Sequence, residues 1–233
     1  MSPPRMQQLA LDIGLAPVPS LDNFIDAGNE AAAEHVRLWV NNPMRSPVPT
    51  LLWGDSGSGK THLLRAVAEA VRGQGARVGW LDPQVINPGD FDDRWDVVLL
   101  DDCHLFTASQ QAAAFNWFIN AQTPVQGAGR WVLAASALPP ADLVLREDLR
   151  TRLGWGHVFA LQTLDESERR AVLRREADAR GVFLSDEVMD FMLKRFSRDL
   201  SSLMMLLHEL DAYALRTQRA ITIPLLKTML ENE

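Results

Sequence analysis

The octet Gly54-Asp55-Ser56-Gly57-Ser58-Gly59-Lys60-Thr61 constrains this chain more than any other stretch. It matches the phosphate-loop pattern in full, and it stands between an apolar run at residues 50–53 and a helical pattern at residues 60–72, which is the context the pattern requires. Glycines let successive backbone N–H groups turn inward, and the positive end of the following helix adds to their pull on an anion. Residues 54–61 are therefore expected to cradle the phosphates of a nucleotide. Lys60 is expected to reach the β and γ phosphates, and the Thr61 hydroxyl to bind Mg2+.

The surrounding pattern is that of an α/β domain. A helix is expected over residues 29–40, closed by Asn41, Asn42 and Pro43. Short apolar runs at residues 50–53, 77–81, 97–100 and 131–135 then alternate with helical segments at residues 60–72 and 110–121. Runs this short, separated by helices, are how a parallel sheet with crossover helices reads in sequence. From Thr163 onward the strands stop. Asp165 and Glu168 form a capping-box pattern, Gly181 is a left-handed stop, and Ser185 caps the next helix ahead of Asp186 and Glu187. Leu200, Leu203, Leu207, Leu210 and Ala214 give a third helix with one apolar stripe, and Ile223, Leu226 and Leu230 a short last one. Pro3, Pro4, Pro17 and Pro19 make residues 1–20 an extended tail. The expected organisation is a tail (1–20), an α/β domain (21–162) and a small all-α domain (163–233).

Composition narrows the partners. At 47% hydrophobic and 23% charged the chain is an ordinary globular one, and no apolar run approaches the ~20 residues of a membrane span. The net charge of −7 opposes autonomous binding to a phosphate backbone. The single Cys103 has no partner for an internal disulfide, and the first residues lack a signal-peptide core, so a reducing cytoplasm is the expected address. His35, His62, His104, His157 and His208 show no metal-ligand spacing, and the seven tryptophans are expected in the core.

Asp96-Val97-Val98-Leu99-Leu100-Asp101-Asp102 reads as a buried strand ending in carboxylates beside the loop. Asp101 is expected to hold Mg2+ through water, and Asp102 to orient or deprotonate an attacking water. Two arginines stay open on the residues alone. Arg152 fits either an arginine finger or a solvated cation before a turn, and Arg198 either a γ-phosphate contact or a surface charge.

Leu21-Asp22-Asn23-Phe24-Ile25, the phosphate loop with His62-Leu63-Leu64, Leu99-Leu100-Asp101-Asp102, Arg152-Leu153-Gly154-Trp155-Gly156, Arg198-Asp199-Leu200 and Ile221-Thr222-Ile223-Pro224 together resemble the DnaA/Hda family of AAA+ proteins. The likeness runs from about Leu21 to the C-terminus and is closest to the Hda branch. It implies an AAA+ P-loop core with a parallel sheet, followed by a helical lid. It makes Arg152 the arginine finger, Arg198 the second sensor in the lid, and Phe24 and Ile25 the residues passing the adenine of bound ADP or ATP, with His62 in the same nucleotide site.

Only about ten residues follow Pro224, too few for DnaA's helix-turn-helix domain, so sequence-specific DNA binding is not expected. Gln8-Leu9-Ala10-Leu11-Asp12-Ile13 resembles the hexapeptide by which Hda proteins dock on the sliding clamp of DNA polymerase III. An extended tail of this kind can insert Leu9, Leu11 and Ile13 into an apolar groove while Gln8 fixes register.

After the strand at 131–135 the family usually places a polar sensor with an aspartate, whereas here only Ser136 offers a polar side chain, which weakens the case for self-contained hydrolysis. The resemblance implies a negative regulator of replication initiation that is docked on the clamp and stimulates hydrolysis of DnaA-bound ATP. An alternative is an autonomous DnaA-like or helicase-loader-type ATPase working as a homodimer or larger homo-oligomer. A third is a scaffold using nucleotide only structurally.

Overall fold

A computed structural model describes residues 18–42, 46–124, 129–195 and 200–231. The chain divides into two compact units, one of them Pro19–Leu164 and the other containing Asp165–Glu233.

The first unit is a five-stranded parallel sheet of β1 (Thr50–Trp53), β2 (Val78–Leu81), β3 (Val97–Leu100), β4 (Trp131–Ser136) and β5 (His157–Ala160), in the order β2-β3-β4-β1-β5. Every pairing is parallel, so all the strands end at one edge. The central strands β3 and β4 are buried throughout, as the near-continuous Val, Leu and Ala runs require of a sheet covered on both faces.

Helices α1 (Glu30–Asn41) and α2 (Lys60–Gly73) cover one face and share a core with Leu52, Val97, Leu99, Trp131 and Leu133. Trp39 of α1 stacks on Trp131 of β4, with ring centroids 3.8 Å apart. Helices α3 (Ala108–Gln122) and α4 (Glu147–Leu153) cover the other face, around Leu51, Val98, Leu100, Val132 and Ala134. Thr107 and Gln110 form a capping box at the start of α3. Apolar area buried on both faces, at roughly 25 cal/mol per Å2, drives the formation of this sandwich.

The second unit is all helix among its described residues: α5 (Glu166–Ala179), α6 (Asp186–Arg195), α7 (Leu200–Thr217) and α8 (Ile223–Glu231). Asp165 and Glu168 cap α5 reciprocally, Gly181 follows it at φ 69°, and the Ser185 hydroxyl accepts from the Val188 N–H at the start of α6. Leu203, Leu207 and Leu210 of α7 are fully buried against Leu173, Met189, Met192 and Leu226. No described helix is long and apolar enough to cross a membrane.

Strand β5 and helix α4 are among the elements not expected from sequence. β5 is an edge strand whose side chains are mostly exposed, so it carries no apolar run to announce it. α4 is only seven residues long.

Candidate functional site

The parallel sheet brings the loop after β1, the turn after β3 and the end of β4 to the same edge. The first is the octet. Gly54, Gly57 and Gly59 take φ values of 150°, 83° and 93°, which side-chain-bearing residues rarely adopt. At Gly54 a Cβ would lie 2.2 Å from the Leu161 carbonyl oxygen, and at Gly59 one would lie 2.7 Å from Cε2 of Phe24. The glycines therefore serve close packing as well as loop curvature.

Lys60, the first residue of α2, is 6% exposed. Its ammonium donates to the carbonyls of Gly54 and Asp55, each at 2.7 Å, and to Ser58 Oγ at 3.3 Å. Burial pulls its pKa below the ordinary lysine value, and Asp102, Asp101 and Asp55 nearby partly offset that. The loop thus holds a compact cation against its own backbone, beside N–H groups of the α2 N-terminus that have no side-chain cap.

Thr61 Oγ1 donates to Asp101 Oδ1 at 3.0 Å, and the same oxygen accepts from the Asp102 N–H at 3.1 Å. Asp101 is 5% exposed, and burial raises its pKa even though the Thr61 hydrogen bond lowers it. Asp102 turns the chain at φ 47° into a short 3-10 turn, Cys103–Leu105. A hydroxyl beside a buried carboxylate is a pair of hard oxygen donors at the mouth of a phosphate loop, which fits Mg2+. No group of three or more His, Cys, Asp or Glu among the described residues is arranged to hold a metal. Cys103 is fully buried, its thiol pushed up to about 12 by desolvation.

Phe24 is buried over the start of α2, with its ring 5.7 Å from that of His62, whose Nε2 lies 3.2 Å from the Ser20 carbonyl. Burial lowers the His62 pKa. Ile25 is half-buried beside Phe24 in the chain. Asn29 holds this entry segment down, its side chain exchanging hydrogen bonds with both backbone groups of Gln162 at 2.9 and 2.8 Å.

Ser136, the last residue of β4, is fully buried. Its Oγ accepts from the Leu138 N–H at 3.0 Å, and its carbonyl accepts from the Gly54 N–H at 3.2 Å. One residue on, the Ala137 N–H donates to Nδ1 of His104 at 3.2 Å. His104 has no metal-ligand spacing in the sequence, and no local pattern reveals its pairing with β4.

Arg152 is not with the others. It is exposed on the last turn of α4, with its guanidinium 5.6 Å from the centre of the Phe115 ring, and it makes no ion pair with any described residue. It lines a groove of about 960 Å3 with Phe118, Gln122, Thr123, Arg146 and Trp155. Gln122 donates to the Pro47 carbonyl, ahead of β1, and His157, just past α4, pairs with Thr50 at the start of β1. Arg152 therefore stands toward the edge where the strands begin, whereas the loop follows Trp53 at the edge where they end. Trp155 is 70% exposed in this groove, so the expectation that the tryptophans fill the core fails for it. Arg198, Gln8, Leu9, Leu11 and Ile13 lie outside the described residues.

A phosphate loop on a five-stranded parallel sheet with a helical C-terminal unit defines an AAA+ core followed by a lid. The model of the Hda lid domain matches residues 165–230, and that of the bacterial DnaA ATPase domain matches residues 15–84. An uncharacterised protein of Haemophilus influenzae is 31% identical over 236 residues, covering 96% of this chain and 98% of its own. The chain belongs to the Hda/DnaA family of AAA+ proteins.

Among solved structures, domain III of the Thermotoga maritima replication initiation protein DnaA shares the fold, with a TM-score of 0.74 at 22% identity over 94% of this chain and 98% of that one. AMPPCP-bound DnaA from Aquifex aeolicus is similar with a TM-score of 0.67 at 22% identity, over 88% of this chain and 68% of that one.

Proposed function

We propose that this protein binds an adenine nucleotide at residues 54–61 and presents Arg152 to the ATP of a neighbouring DnaA molecule. Loop N–H groups and Lys60 hold the phosphates, Phe24 and Ile25 flank the adenine, and Thr61 with Asp101 hold Mg2+, which when bound neutralises phosphate charge. Asp102, at the left-handed turn that follows Asp101, would orient a water. The AMPPCP-bound DnaA of the same fold supports an adenine nucleotide as the ligand.

The observation that carries the reading is the placement of Arg152. Its guanidinium is exposed, makes no ion pair with a described residue although Glu147 and Asp148 line the same groove, and stands toward the opposite edge of the sheet from the protein's own loop. A cation so placed cannot stabilise charge on its own subunit's nucleotide, but it can complete another's. The product would be ADP-bound, inactive DnaA, and the protein a negative regulator of replication initiation.

The tail residues Gln8, Leu9, Leu11 and Ile13 would tether the protein to the DNA-loaded clamp, raising the effective concentration at DnaA so that a weak contact between AAA+ faces suffices. The complete loop and the Thr61–Asp101 pair also support a second reading, an ATPase in which Arg152 serves a second copy of the same chain.

Nucleotide turnover separates the two. It is measured with the protein alone, with ATP-DnaA, and with ATP-DnaA plus clamp-loaded DNA. The regulator predicts a marked rise only in the last mixture, lost in the pair Leu9→Ala, Leu11→Ala. Equal turnover by the protein alone, abolished by Lys60→Ala, favours the homo-oligomeric ATPase.

A further inference from the structure

At the edge where β1, β3 and β4 end, most polar side chains are already engaged. The Lys60 ammonium is held by two carbonyls and a hydroxyl, and Thr61 donates to Asp101. Ser136 is fully buried, with its oxygen accepting from the Leu138 N–H and its hydroxyl hydrogen-bonded to the Cys103 thiol. Asp101 and Asp102 offer acceptors, not donors, when ionised. His104 differs from all of these.

A backbone amide can only donate, so the Ala137 N–H bonded to Nδ1 fixes that nitrogen as the lone-pair side of the ring. In the neutral imidazole the proton must then reside on Nε2, which has no hydrogen-bond partner among the described residues. The ring is half-buried on the turn that follows Asp102, braced against the residue after β4, whose own carbonyl neighbour holds the Gly54 N–H. Lys60 and Asp102 are near enough for their charges to act on it, and burial favours its neutral form.

We infer that His104 Nε2–H, acting beside Lys60, reads the terminal phosphate of a nucleoside triphosphate bound at residues 54–61 and is the donor that the end of β4 itself does not supply. This rests on the reading of residues 54–61 as a nucleotide site. The ring bridges two strand ends, held to β4 by the Ala137 amide and carried by the turn that follows Asp101 and Asp102 after β3. A donor fixed this way is oriented in advance, so it costs little to order when an acceptor oxygen arrives. A diphosphate, lacking that oxygen, gains nothing from it.

The test is calorimetric titration of the full chain with ADP and with AMPPCP, for the wild type, His104→Ala and His104→Gln. His104→Ala is expected to weaken AMPPCP binding about fivefold to tenfold, the worth of one buried hydrogen bond, with ADP affinity unchanged within about twofold. His104→Gln, whose amide can donate from the position of Nε2, is expected to restore part of the difference.

Side-chain 1H–15N spectra of the wild type are expected to show the neutral Nε2–H tautomer, with the Nε2 resonance moving on addition of AMPPCP but not ADP. That readout holds whether or not a variant folds. An unchanged ratio of the two affinities in His104→Ala, equal losses for both ligands, or an Nε2 resonance indifferent to AMPPCP overturns the inference. A wild type that binds neither ligand overturns the nucleotide-site reading beneath it, which the ADP titration reports separately.

Discussion

The Thr61 hydroxyl and the Asp101 carboxylate, 40 residues apart in the chain, meet at 3.0 Å at the ends of neighbouring structural layers. The hydroxyl lies in the first turn of α2 and the carboxylate directly follows β3, so a divalent cation and the phosphates cradled by the loop would share this corner.

The pair gives the first prediction. Thr61→Val and Asp101→Asn should each reduce, by about tenfold, the gain in ADP affinity that Mg2+ provides, while metal-free affinity, set by loop N–H groups and Lys60, stays near wild type. Titrations with Mg2+ and with EDTA check this, and an undiminished Mg2+ effect in both variants contradicts the assignment.

Gly54 supplies a prediction about stability. Its backbone stands at φ 150°, and a Cβ would meet the Leu161 carbonyl oxygen at 2.2 Å. The carbonyl is backbone and the Cβ position is fixed by the backbone, so no side-chain rotation relieves the clash. Gly54→Ala is expected to cost about 2–4 kcal/mol in urea unfolding, and a loss below about 0.5 kcal/mol would show that the close approach is relieved elsewhere.

The pH dependence follows from three histidines. Burial lowers the pKa of His35, His62 and His104, and for His35 the ring of His157, 4.5 Å away, adds to the effect. The folded state therefore favours neutral rings, while the unfolded chain takes up protons near pH 6.5. Their contribution is fully present above that value and is lost as pH falls toward the depressed folded values. The urea midpoint should be lower at pH 5.5 than at pH 7.5, and His35→Gln should narrow the difference. A midpoint that rises on acidification over this range contradicts the sign.

What was legible in the sequence was local. The octet, the Asp165–Glu168 capping box, Gly181 and Ser185 each declare themselves within a few residues, because loop curvature and helix ends are satisfied by near neighbours. Strands β3 and β4 were legible because burial on both faces demands unbroken apolar runs. β5 was not, since an exposed edge needs no such run.

The site divides along the same line. Residues 54–61 and the Asp101-Asp102 pair stand out by type and order, whereas the contact of His104 with Ala137 depends on how β3 and β4 align. The groove beside Arg152 likewise arises from α3 and α4 packing together, which left the exposed Trp155 unforeseen.

The central claim is that Arg152 acts on a triphosphate held by another molecule, and single-turnover hydrolysis tests it most directly. DnaA preloaded with labelled ATP is mixed with clamp-loaded DNA and with this protein carrying unlabelled ADP, as wild type or as Arg152→Ala. The account predicts that Arg152→Ala binds ADP as tightly as wild type yet loses the stimulation of labelled-ATP hydrolysis, by about 10³-fold if the stimulation is of arginine-finger size and otherwise down to the DnaA background. Stimulation by Arg152→Ala equal to that of wild type would contradict it.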